Sequence, residues 1–190
     1  MTDDQLPEFH ARALDATRAF VARINDDQWN APTPNSDWDV RELLNHVVGG
    51  NLWVAPLVEG KSIEEVGDRY DGDILGNDPL AAWDTSSASA AAAFRSPGAM
   101  EKPVAVSYGP VPGSVYCGHR LVDVLIHGWD LAVATGQDRR LDPELVRVAW
   151  EIFEPQAEGW RSAGAIGAKV DVPDDADPQT RLLGLLGRSA

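Results

Sequence analysis

The chain has 190 residues, 44% of them hydrophobic, and 16 basic against 30 acidic residues give a formal net charge of −14. That length suits one domain with a sizeable core, and the acidic balance argues against nucleic-acid backbones and anionic membranes, which attract basic patches. The one cysteine, Cys117, rules out an intrachain disulfide, which together with an acidic N-terminus and short, interrupted apolar runs leads us to expect a cytoplasmic protein with no membrane span.

Residues 4–24 place Leu6, Phe9, Ala13, Ala16, Phe20 and Ile24 at three- and four-residue steps, which predicts an amphipathic helix. A proline-containing loop, 25–35, precedes Ser36-Asp37-Trp38-Asp39, read as an N-cap and acidic first turn. The second helix, about 37–57, carries Val40, Leu43, Leu44, Val47 and Val54 on one side. Its Gly49-Gly50 pair weakens it by roughly 1 kcal/mol per glycine and can allow close packing. Residues 59–77 read as an acidic loop with room for one helical turn, and Asp78-Pro79 opens an alanine-rich third helix, 78–95. Lys102 to Tyr108 alternates before a Gly-Pro-Val-Pro-Gly run, which predicts a short strand or extended loop within 96–117. A fourth helix, about 114–135, ends at Gly136. A fifth, about 142–161, is followed by an extended tail and a short helix, 178–187. The expected fold is all-α: a four-helix bundle with a short strand insertion and a C-terminal tail helix, in a single domain with its core over about 4–161 and its tail over 162–190.

The fourth helix contains HRLVDVLIHGWDL, residues 119–131, with two of the four histidines. At about 100° per residue, His119, Asp123, His127 and Asp130 fall within a sector of roughly 80° on an otherwise apolar helix. Buried carboxylates and imidazoles are costly unless paired or metal-bound. Asp123 and His127, one turn apart, can converge on one point. A plain Asp–His hydrogen bond satisfies that spacing as well as a metal does. A divalent metal needs a further ligand, and His46, at the edge of the second helix's apolar face, is placed to supply it from a neighbouring helix. Taken alone, His46 reads as a satisfied core or boundary histidine sooner than as a ligand.

The segments WDVRELLNHVVGGN (38–51), HRLVDVLIHGWDLAVATG (119–136) and VPDDADPQTRLLGLLGR (172–188) resemble a metal-binding family related to the N-terminal domain of mycothiol-dependent maleylpyruvate isomerase, within the DinB-like superfamily. The resemblance covers nearly the whole chain. It implies a four-helix bundle with one divalent metal near one end, held by His46, Asp123 and His127. Zinc is the expected ion, with nickel, manganese or iron as alternatives for a His2Asp set. It also implies a low-molecular-weight thiol, such as mycothiol or bacillithiol, as cosubstrate, and a monomer or homodimer. The isomerase has Glu where this chain has Asp123, and a second domain where this chain has a short tail.

Two histidines and one carboxylate leave coordination positions open, the pattern of a catalytic site. The expected activity is a thiol-dependent transferase or isomerase acting on a small electrophile. A non-catalytic metal- or ligand-binding scaffold and a metal-assisted hydrolase are the alternatives. His119 reads as a fourth ligand, a partner of Asp123, a proton shuttle or a plain polar residue near the helix start. Asp130 could orient the free ring nitrogen of His127, and Arg120 could hold an acidic substrate or a thiol headgroup. Trp53 and Trp129 are candidate pocket walls. Cys117, the rival nucleophile, reads better as a small buried hydrophobe.

Overall fold

The computed structural model describes residues 2–35 and 38–189. Helix α1 (Leu6–Val21) follows a 3-10 turn at Asp3–Gln5 and carries Pro7 in its first turn, where a missing N–H costs nothing. Its buried positions include Leu6, Phe9, His10, Ala13, Leu14, Thr17 and Val21; of the predicted stripe Leu6, Phe9 and Ala13 are buried, Ala16 and Phe20 are half-buried, and Ile24 lies beyond the helix end. Helix α2 (Val40–Val58) is capped by Asp39. The Glu42 N–H donates to Asp39 Oδ1, and the Asp39 N–H donates to Glu42 Oε2. Ser36, the N-cap expected from sequence, lies outside the described residues.

The 59–77 segment holds one helical turn, α3 (Ile63–Val66), and α4 (Pro79–Phe94) starts at an Asp78 side chain that accepts from the Ala81 N–H. Strands β1 (Pro103–Val106) and β2 (Gly109–Pro112) pair antiparallel, with Val104 opposite Val111. Prolines close the open end of this hairpin and block its extension into a larger sheet. Helix α5 (Gly113–Ala134) runs 22 residues. Gly136 then turns the chain at φ 66°, the left-handed backbone that favours glycine.

The chain divides into two compact units, Met1–Asp138 and Arg139–Ala190. In the first, α1 packs on α4 and α5, and α2 packs on the same two helices, closing a four-helix ring. Leu43, Leu44, Val47, Trp83, Leu121 and Leu125 are buried there. Each such side chain contributes about 1.5–3 kcal/mol relative to exposure. The α1–α5 crossing is tight at Gly128, where an added Cβ would overlap Thr17 Oγ1. That hydroxyl donates to the Val124 carbonyl at 3.1 Å.

The second unit differs from the sequence expectation. The helix expected over 142–161 is broken into α6 (Pro143–Phe153), a 3-10 turn at Glu154–Gln156 and α7 (Ala157–Ser162). Pro155, which has no N–H to donate, accounts for the break. Helix α8 (Pro178–Leu185) packs on α6 and buries Leu182 and Leu183. The tail helix therefore shares the second unit with α6. Among the described residues, no helix is long and apolar enough to cross a membrane.

Candidate metal centre

His46 projects from α2, and Asp123 and His127 project from successive turns of α5. Asp123 Oδ1 lies 3.6 Å from His46 Nε2 and 3.5 Å from His127 Nε2. One donor atom from each of the three residues lies within 4.8 Å of the other two. Those separations are too long for hydrogen bonds. The two separations from Asp123 approach the edge of a tetrahedron around an ion with ligand distances of about 2.1 Å, an edge of about 3.4 Å. Two imidazoles and a carboxylate gathered in this way could hold a divalent metal.

The rest of the polar stripe is already engaged. Asp130, fully buried, places Oδ2 3.0 Å from His127 Nδ1. A carboxylate at that position accepts the Nδ1 proton and leaves Nε2, on the Asp123 side, as the nitrogen that a metal would displace a proton from. Arg120 is not aimed at solvent and is only 7% exposed. Its Nη1 donates to Asp123 Oδ2 at 2.8 Å, and Nη2 donates to the Val47 carbonyl at 3.2 Å and to Asn51 Oδ1 at 3.0 Å. His119 reaches the hairpin, where its Nδ1 lies 2.6 Å from the hydroxyl of Tyr108. The four stripe residues thus separate into two that face His46, one that buttresses His127 and one that meets the hairpin.

Electrostatics follow from this packing. Burial works to raise the Asp123 carboxyl, but the Arg120 guanidinium and His127 outweigh it and hold the group well below the usual carboxylate range. Burial works to lower His127, but Asp123 and Asp130 on either side outweigh it and raise the imidazole to about 9. Burial alone pushes the Cys117 thiol up, away from any thiolate role.

Sequence reasoning missed Trp38. Its indole stacks on the His46 ring at 4.5 Å and 30°. A bridge between Pro32 and Asp39 folds the loop that presents it. Trp38 precedes the α2 cap, so no helical periodicity marks it. Of the tryptophans singled out from sequence, Trp129 is buried in the core and Trp53 meets Tyr70 edge to face. Side-chain exposure is 39% at His46 and 10% at His127, so the centre opens to solvent on the α2 side.

Residues 10–132, from within α1 to just past the stripe, match the model of the mycothiol maleylpyruvate isomerase N-terminal domain. The chain belongs to the mycothiol maleylpyruvate isomerase N-terminal domain family. Two proteins of Mycobacterium tuberculosis, Uncharacterized protein MT0763 of strain CDC 1551 / Oshkosh and Uncharacterized protein Rv0738 of strain ATCC 25618 / H37Rv, are each 37% identical to it over 188 residues. Each match spans 95% of this chain and 96% of the relative. The fold matches the crystal structure of the mycothiol-dependent maleylpyruvate isomerase with a TM-score of 0.66 at 19% identity. A point mutant of that isomerase matches with a TM-score of 0.68 at 20% identity. Both matches cover 92% of this chain and 77% of the other. The family fold is thus the DinB-like helical bundle expected from the quoted segments, and His46, Asp123 and His127 all lie inside the matched span.

Proposed function

We propose that this family member is a metal-dependent enzyme that joins a low-molecular-weight thiol of the mycothiol type to a small electrophile, as a transferase or an isomerase. The observation that carries this reading is the convergence of His46, Asp123 and His127, with donor atoms within 4.8 Å of one another. Membership of a family named for a mycothiol-linked isomerase supports the choice of thiol.

A divalent ion held by His46, Asp123 and His127 would supply the positive charge to keep a thiol ionised at neutral pH, where a free thiol with a pKa of about 8.5 is mostly protonated. The residues of the chain do the rest. His46 and His127 present Nε2 and Asp123 presents Oδ1, a set that leaves positions open for an exogenous ligand. Asp130 holds the Nδ1 proton of His127 and fixes the tautomer that ligation requires. Trp38 covers one face of His46, restricting its rotation and shielding it from water. Substrate approaches from the exposed His46 side, since His127 is closed in by the bundle. With thiolate and electrophile side by side, addition becomes effectively intramolecular.

Elemental analysis of the purified protein, calorimetric titration with Zn(II), and a screen of electrophiles with and without mycothiol test the proposal. Stoichiometric metal, together with turnover that requires thiol and disappears in His127→Ala, is the expected result. Absence of metal uptake refutes it, and metal-dependent turnover indifferent to thiol points to hydrolysis instead.

A further inference from the structure

We propose that Arg120 is a positioning residue that turns the Asp123 carboxylate so that only Oδ1 faces the metal, and that Gly50 exists to let it do so. This inference rests on the metal-centre reading above. The guanidinium forms a fork between two helices. Nη1 holds Asp123 Oδ2 on α5, while Nη2 is held by the Val47 carbonyl and Asn51 Oδ1 on α2. With Oδ2 engaged, Oδ1 is the oxygen turned to both imidazoles, at 3.5 and 3.6 Å. Asp123 would then offer a bound ion a single oxygen, leaving room beside it for substrate.

The path of the fork crosses the Gly49-Gly50 pair. A Cβ built at Gly50 would overlap Arg120 Nη1 and come within 2.6 Å of Cζ and 2.7 Å of Nη2. Elsewhere, the far end of an arginine would swing aside. Here it is buried and fixed by three partners on two helices, so it can yield only by releasing them. Glycine in a helix interior costs about 1 kcal/mol relative to alanine, and the close passage of Arg120 is a physical reason for glycine here. Because α2 also carries His46, the same fork sets the register between the helices that supply the ligands.

A purely electrostatic role for Arg120 makes different predictions from a positioning role. A lysine at 120 keeps the charge, but one ammonium cannot span Asp123, Val47 and Asn51 as a planar fork does. Alanine at 50 keeps every ligand and every charge and displaces only the fork. Co(II) serves as the probe, read by its affinity and by its visible d–d absorption, whose intensity falls as coordination number rises. Arg120→Lys and Gly50→Ala are each expected to weaken Co(II) binding by roughly 10- to 100-fold, the range for loss of a ligand's hydrogen-bond partner. Each is also expected to lower the absorption intensity as Asp123 becomes free to offer both oxygens. The melting temperature of the metal-free variants checks that the bundle is intact. Wild-type affinity and spectrum in either folded variant overturns the positioning role while leaving the metal centre standing. Failure of the wild-type protein to take up Co(II) overturns both.

Discussion

His10 offers the cleanest quantitative test of the packing described above. It is fully buried on α1, edge-on to Phe94 at 5.0 Å, and neither ring nitrogen has a hydrogen-bond partner among the described residues. Burial first, then the charges of Arg120 and Arg95, lower its pKa to about 3. In the unfolded chain an imidazole titrates near 6.5, and each pH unit separating the two titrations is worth about 1.36 kcal/mol. Between those two values the unfolded chain binds a proton that the folded protein refuses. Stability is therefore highest above about pH 6.5 and falls as pH drops toward 3. From about pH 7.5 to about pH 5 this residue alone removes roughly 2 kcal/mol. His10→Leu, close in volume, removes the titration and both unsatisfied nitrogens. An unsatisfied buried polar group costs about 1–3 kcal/mol, so the variant is expected to be more stable at pH 7.5 by an amount of that order. It should gain a further ~2 kcal/mol on the wild type by pH 5. Urea denaturation followed by circular dichroism at pH 7.5, 6 and 5 measures both effects. Parallel stability curves for the two proteins would refute the assignment of His10 as a neutral, unpartnered core residue.

Metal uptake should release a proton, because the His127 imidazole, raised to about 9 by Asp123 and Asp130, is protonated in the metal-free protein at neutral pH. Affinity should then climb about tenfold per pH unit from 7 toward 9, and binding heats should vary with the ionisation enthalpy of the buffer. Gly128→Ala should lose roughly 1–3 kcal/mol in a denaturant titration instead of gaining helix propensity, since the new methyl group overlaps Thr17 at the α1–α5 crossing. Cys117 should resist thiol reagents in the native protein and react once it is denatured. Cys117→Ala should leave thiol-dependent turnover unchanged, because the side chain is fully buried and burial raises its pKa.

The bundle was legible because its signals are local. Three- and four-residue apolar steps, Asp-Pro helix starts and a terminal glycine place α1, α2, α4 and α5 to within a few residues. The convergence of Asp123 and His127 follows from helix geometry alone, and the quoted segments bring His46 to them by resemblance. Three features escaped. Trp38 acts from a loop fixed by an isolated bridge, outside any periodic pattern. Arg120 read as a candidate anchor for an acidic substrate or a thiol headgroup, and its contacts with Asp123, Val47 and Asn51 were not visible because the wheel records angle but not where a long side chain folds. It turns inward because Gly50, on another helix, leaves the space. The hairpin partner of His119 likewise belongs to tertiary packing, since Tyr108 lies at a strand connection whose direction only the folded bundle sets.

His46 and Asp123 are 77 positions apart in the chain, on helices that meet only when the bundle closes. A metal bridging them would act as a reversible cross-link between distant parts of the chain. The unfolded chain could offer that ion only scattered single donors. The difference in affinity between folded and unfolded forms would become stability in proportion to the logarithm of free metal concentration. Metal supply in the cell would then govern how long this protein lasts as well as how fast it works, and starvation for the ion would appear first as a shortened lifetime of the bundle.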